Sequence, residues 1–115
     1  MQQSALSPDF FCAVEPDRER VIVRVAGELD LCVASDVGAT VDELLDVGFS
    51  RIVVDLRQVT FLDSAGVHML VAAQRSAERR EGALSLIGGP PHVQRVLELT
   101  ATASLFAIYA AVGRA

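Results

Sequence analysis

The sequence contains no lysine and no tryptophan, and all ten of its basic residues are arginine. Without lysine there can be no Schiff base and no P-loop lysine. A phosphorelay receiver domain is excluded as well. Its chemistry needs an acidic pair after the first strand and a lysine near the last, even though Asp55 lies near the end of a central strand. The two cysteines, Cys12 and Cys32, form no CxxC pair, and no Cys/His cluster has zinc spacing. Both thiols are therefore expected to be reduced and partly buried. No run of eighteen apolar residues occurs, and the longest candidate, residues 105–112, is too short to span a membrane. The opening Met1-Gln2-Gln3-Ser4 lacks both the charged and the apolar part of a signal peptide, so the cytoplasm is the expected location. Fifteen acidic residues against the ten arginines leave a net charge of −5, and no basic patch marks a nucleic-acid surface.

What is present is a chain of 115 residues, 51% of them hydrophobic, enough to bury one core without disulfides or metal. Residues 1–9 read as a loose lead-in, and residues 10–115 as one domain. Residues 10–14 form a short strand, and residues 15–20 a charged turn in which Pro16 stops regular pairing. Residues 21–25 are rich in β-branched side chains and form a second strand, giving an antiparallel hairpin. Gly27-Glu28-Leu29-Asp30 ends that strand. Val37, Val41, Leu44 and Leu45 then follow helical spacing within residues 33–47, with Ser35 or Asp30 as cap and Gly48 closing.

Residues 52–56 are apolar nearly throughout, as a central strand covered on both faces would be. A loop over residues 57–63 leads to a helix from Ser64 to about Glu81, closed by Gly82. A strand at 84–87, a short helix at 92–99 after Pro90-Pro91, and an edge strand at 106–109 complete the order ββαβαβαβ. This order predicts an α/β fold: one mixed, mostly parallel sheet of about five strands with packed helices.

Ligands and partners of open α/β sheets meet the carboxyl ends of the strands. Two polar clusters lie at such ends, Gly27-Glu28-Leu29-Asp30 and Phe61-Leu62-Asp63-Ser64-Ala65-Gly66. If their strands are neighbours, Asp30 comes close to Asp63 and Ser64. Ser64 opens a helix whose free N–H groups can receive a phosphoryl group, and Gly66 leaves room for a close backbone approach. The plain alternative is that Asp63 and Ser64 only cap that helix. A serine hydrolase is not indicated, because Leu62 stands where a G-x-S-x-G elbow has its first glycine. His68, four residues after Ser64, reads as a surface residue near an interface. Gly88-Gly89-Pro90 cannot form a phosphate loop, and no cofactor or metal is called for.

Val54-Asp55-Leu56 followed by Val59-Thr60-Phe61-Leu62-Asp63-Ser64-Ala65-Gly66-Val67 resembles the signature of the anti-sigma factor antagonists, the bacterial STAS domains. Gly27-Glu28-Leu29-Asp30-Leu31 resembles the family's second block at the expected spacing, and the likeness spans roughly residues 10–110. The resemblance implies a non-enzymatic partner switch. The dephosphorylated protein would bind an anti-sigma factor that is also a serine kinase, and so free a sigma factor. Phosphorylation of Ser64 would end that binding, and a metal-dependent phosphatase of the PP2C type would restore it. Glu28, Asp30, Asp63, Ala65, Gly66 and His68 would form the partner surface. A STAS module serving as a scaffold or transporter subunit, with Ser64 unmodified, is the alternative.

Two departures stand out. Ala65 occupies a position where many relatives carry Ser or Thr, and the sequence ends at Gly113-Arg114-Ala115 where relatives continue into a further helix. The expected lack of that helix leaves part of the sheet less covered, to be met by a partner or by a homodimer.

Overall fold

The computed structural model describes residues 3–4 and 10–114. One sheet organises the chain, and its strands lie side by side in sequence order. They are β1 (Gln3–Ser4), β2 (Phe11–Asp17), β3 (Arg20–Leu29), β4 (Arg51–Leu62), β5 (Ala83–Ile87) and β6 (Ala107–Tyr109). The first three pair antiparallel, and β3 through β6 run parallel. Helices α1 (Leu31–Asp46), α2 (Ser64–Arg79) and α3 (Pro91–Leu99) make the three crossovers. Because successive right-handed crossovers all advance the same way along the sheet, they bring their helices to one face. Side chains of all three helices accordingly share one core with that face. Val33, Val37 and Val41 of α1, Leu70 and Ala77 of α2, and Val93 and Leu97 of α3 pack with Val23, Val54 and Leu86. The predicted ββαβαβαβ order is the observed one, with the two-residue β1 added at the edge. The rest of the expected lead-in lies outside the described residues.

Ile22, Val53 and Ile87 form a smaller apolar cluster of their own, packed by Tyr109 and Val112. Strand alternation puts them on the opposite face of the sheet. Arg20 donates to the carbonyl of Val112 at 3.0 Å and pairs with Asp17, which ties the segment after β6 to the hairpin. Among the described residues a turn of 3-10 helix, Val112–Arg114, follows β6.

Several boundaries differ from expectation, each for a physical reason. Pro16 does not stop pairing: β2 runs on to Asp17, with Pro16 opposite Val21 and the turn reduced to Arg18 and Glu19. A two-residue hairpin makes Asp17 and Arg20 its hydrogen-bonded pair. Pro16 therefore falls in the next, non-bonded pair, where no N–H is required from it. Residues 57–62 are not a loop but the second half of β4, and β3 likewise continues through Gly27 and Glu28 to Leu29. The ladder there shifts register between Arg24 and Ala26 and again between Gly27 and Glu28, with Gly27 at φ +97°. These bulges break the alternation that a strand reading depends on.

Helix α1 begins at Leu31 rather than Val33. It is capped by Asp30 alone, and Ser35 lies inside the helix. Val47 is its C-cap, and Gly48 is the next residue, at φ +110°. The Phe49 N–H reaches the Leu44 carbonyl at 3.1 Å, and the Gly48 N–H reaches that of Leu45 at 3.1 Å. This paired closure is the reason a left-handed residue follows the cap. The last strand omits Phe106, which is buried in the main core after a 3-10 turn at Ala103–Leu105.

Candidate partner-binding site

Leu29 and Leu62 are register partners at the ends of adjacent parallel strands. The next residue in each strand, Asp30 and Asp63, is therefore carried to the same place, and each caps the helix that follows. Asp30 Oδ1 accepts from the Cys32 N–H at 3.0 Å, and Asp63 Oδ1 accepts from the Gly66 N–H at 2.9 Å. Asp63 does more than cap its own helix. Its Oδ2 accepts from the Leu31 N–H at 3.2 Å, so one carboxylate joins the first turns of α1 and α2. The expected approach of Asp30 to Asp63 and Ser64 thus follows directly from strand register.

Since Asp63 holds the cap position, Ser64 is the first helical residue and its hydroxyl is not used for capping. The side chain is exposed, and it makes no hydrogen bond among the described residues. The capping explanation therefore accounts for Asp63 and leaves Ser64 unexplained.

Gly66 is buried, and a Cβ there would lie 2.5 Å from the Leu29 carbonyl oxygen and 2.7 Å from Leu62 Cδ1. The backbone it admits is that of β3, so its contribution to the site is to let α2 start against the strand ends. Ala65 is half-buried and packs on the main core. Glu28 is exposed and stands opposite Phe61 in the ladder, and His68 is exposed one turn beyond Ser64. Among the six expected partner residues, Glu28, Asp30, Asp63 and His68 thus offer polar groups at the surface.

Two residues that sequence reading passed over belong to the same place. Leu31 is 75% exposed and Phe61 46% exposed, although both are large and apolar. They stand beside Asp30 and Asp63, so the acidic strand ends carry apolar contact area of the kind interfaces use. For Leu31 the available signal was an apolar side chain directly after a helix cap; Phe61, near the end of β4, carried no such signal.

On the other side of Ser64 an open groove of about 340 Å3 runs between α2 and residues 100–105. Ser64, His68, Val71 and Arg75 line one wall, and Thr102 and Leu105 the other. Gln74 Nε2 donates to the Leu105 carbonyl at 2.8 Å and holds that wall in place. His92, the remaining histidine, contacts the Thr60 carbonyl at 2.7 Å through Nε2.

Asp55 sits apart from the site, 5% exposed. Burial works to raise its carboxyl, but hydrogen bonds and charge from Arg57, with the charge of Arg24, outweigh it and hold the group below the ordinary carboxylate value. Among the described residues no three His, Cys, Asp or Glu side chains gather as a metal site, and no helix is long and apolar enough to cross a membrane.

The arrangement recurs in known proteins. A family model described as Mlab, STAS domain, matches residues 12–107. The anti-sigma-B factor antagonist of Listeria monocytogenes is 30% identical over 95 residues, covering 82% of each chain. Among solved structures, SpoIIAA in its unphosphorylated form shares the fold at a TM-score of 0.77, with 24% identity and 90% of both chains covered. The same Bacillus protein in its phosphorylated form gives a TM-score of 0.70, with 23% identity, 90% of this chain and 94% of that one covered. A sulfate transporter family protein from Wolinella succinogenes also shares the fold, at a TM-score of 0.74, 19% identity, and 86% and 83% coverage. The fold alone therefore serves more than one role. The family model over most of the chain shows the STAS domain, and the Listeria relative, covered over 82% of each chain, places it among the anti-sigma factor antagonists: the chain belongs to the STAS domain family of anti-sigma factor antagonists.

Proposed function

We propose that this protein is a cytoplasmic partner switch with no catalysis of its own, set by the phosphorylation state of Ser64. Unmodified, it binds an anti-sigma factor that is also a serine kinase, and the sigma factor is released. The kinase transfers the γ-phosphoryl group of ATP to Ser64 Oγ, the serine proton is lost, and ADP leaves. A PP2C-type phosphatase hydrolyses the ester and restores the binding form. The observation that carries this reading is the free, exposed Ser64 hydroxyl at the head of α2, beside a cap position already filled by Asp63. The existence of SpoIIAA in phosphorylated and unphosphorylated forms supports it.

Electrostatics supplies the switch. A serine phosphate carries about −1.5 to −2 charges at neutral pH. At ~5 Å from Asp63 or Asp30, with an effective dielectric of ~20, it meets a repulsion of several kcal/mol before screening. The helix N-terminus returns only about 0.3–1 kcal/mol. Both aspartates are only half-buried, so solvent takes part of that repulsion. If ~3 kcal/mol is lost from the complex, affinity falls more than a hundredfold. The same dianion also spoils any basic partner surface that fits Glu28, Asp30 and Asp63 when Ser64 is neutral.

Incubation with the cognate kinase, ATP and magnesium, followed by phosphopeptide mass spectrometry, tests this directly. The expected result is a single phosphate on the Ser64 peptide, none on a Ser64→Ala control, and loss of kinase binding on modification. A kinase active on other substrates that leaves Ser64 untouched would overturn the switch in favour of a scaffold or transporter-subunit role.

A further inference from the structure

Ser64 and His68 are one helical turn apart on α2, both exposed, and both line the groove between α2 and residues 100–105. Side chains at this spacing have Cβ atoms about 5–6 Å apart. A helical side chain also leans back over the preceding turn, which brings the imidazole toward Ser64 rather than away from it. His68 has no ion pair or hydrogen bond among the described residues, so its ring is uncommitted.

The other charges around it are few. On the same wall Arg75 lies eleven residues from Ser64, about 16 Å along the axis, beyond the reach of a phosphate there. The facing wall supplies Thr100, Thr102 and Leu105 and no titratable group. At the head of the helix Asp30 and Asp63 repel a phosphate, and their carboxylates are engaged in capping.

We propose that His68 is the positioning residue of the phosphorylated state: it draws a phosphate on Ser64 away from Asp30 and Asp63 and down into the mouth of the groove. The inference rests on Ser64 being the modified residue. Phosphorylation then changes two surfaces at once. It places negative charge beside the strand-end acids, and it fills the head of an apolar-floored groove that is open in the unmodified protein.

The test installs phosphoserine at position 64 of the full chain by genetic encoding, so that no kinase is needed, and follows the phosphate by 31P NMR between about pH 5 and 8. With an imidazolium close by, the phosphate loses its second proton at a lower pH. The titration midpoint should lie about 0.5 lower than in the same protein carrying His68→Gln. The variant His68→Arg, which keeps the charge, should restore the low midpoint. Amide and methyl signals of Val71 and Leu105 should move on phosphorylation in the native and His68→Arg proteins and not in His68→Gln. Identical phosphate titrations in the native and His68→Gln proteins would overturn the proposal, as would signal changes confined to residues 30–32 and 63. Failure of a kinase to modify Ser64 is read in the separate kinase assay and leaves this titration unchanged.

Discussion

At the scale of single residues, the motif around Ser64 divides its labour. Asp63 builds, holding the first turns of two helices with one carboxylate. Ser64 stays free. Gly66 pays no side chain into the site, because the Leu29 carbonyl occupies the space a Cβ would need. An alanine at a helical position normally gains about 1 kcal/mol over glycine. Here the oxygen at 2.5 Å belongs to strand backbone that cannot swing aside, and such overpacking costs about 1–3 kcal/mol, more where backbone must shift. The clash wins: Gly66→Ala is expected to lower stability by about 1–2 kcal/mol net in urea unfolding. A stability equal to or above that of the native protein would show that α2 can retreat from β3 freely. The glycine was legible from sequence as a close-approach position. That the approaching backbone belongs to the chain's own β3 was not, because the contact depends on where two strands end in space.

At the scale of elements, the parts read well were those with a clean period. Residues 52–56, the spacing of Val37, Val41 and Leu45, and the strand at 84–87 all reappear inside the observed elements. The parts misread were those in which a bulge shifts the period or a proline falls in a non-bonded pair. The site itself was partly legible. Asp30, Asp63 and Ser64 follow from the ends of neighbouring strands, whereas Leu31 and Phe61 lay within the two quoted blocks without being singled out, because pattern alone does not tell an exposed apolar residue there from a covered one. Their exposure has a testable consequence. Leu31, three-quarters in water, contributes little to the fold, so Leu31→Ala is expected to change stability by less than about 0.5 kcal/mol in thermal unfolding, whereas Phe61, about half covered, is expected to cost about 1 kcal/mol as Phe61→Ala. In a partner contact the same truncations remove apolar anchors, each worth about 1–2 kcal/mol, or a roughly 5–30-fold loss of affinity for the anti-sigma factor by calorimetric titration. Full affinity in both variants would move the interface off the strand ends.

At the scale of the whole molecule, the chain carries a net charge of −5, yet the one carboxylate buried among the described residues is held by cations. Arg57 Nη2 lies 2.8 Å and Arg24 Nη1 3.6 Å from Asp55 Oδ2, and Arg24 also pairs with Glu15. This chain of charges ties the hairpin to the central strand on the face opposite the main core. Its pH dependence follows from the direction of each shift. The Asp55 carboxyl is lowered from its ordinary 3.8, so its contribution is complete above about pH 4 and is lost as pH falls through the folded-state value. At the alkaline end, burial and then the charge of Asp36 push the Cys12 thiol up from 9.0 to about 11. The unfolded chain therefore releases that proton first, and stability falls between about pH 9 and 11, by at most about 3 kcal/mol. Urea unfolding across pH should thus give a plateau from about 5 to 8 with a decline on each side. Asp55→Asn should cost about 1–3 kcal/mol on the plateau, below the full value of a buried pair because both arginines are half-exposed. That cost should shrink below pH 4, where the native carboxylate is itself being protonated. Cys12→Ala should lower the plateau through its cavity but flatten the alkaline decline. A constant difference between Asp55→Asn and the native protein down to pH 2.5 would mean that the carboxylate's charge is not what Arg24 and Arg57 stabilise.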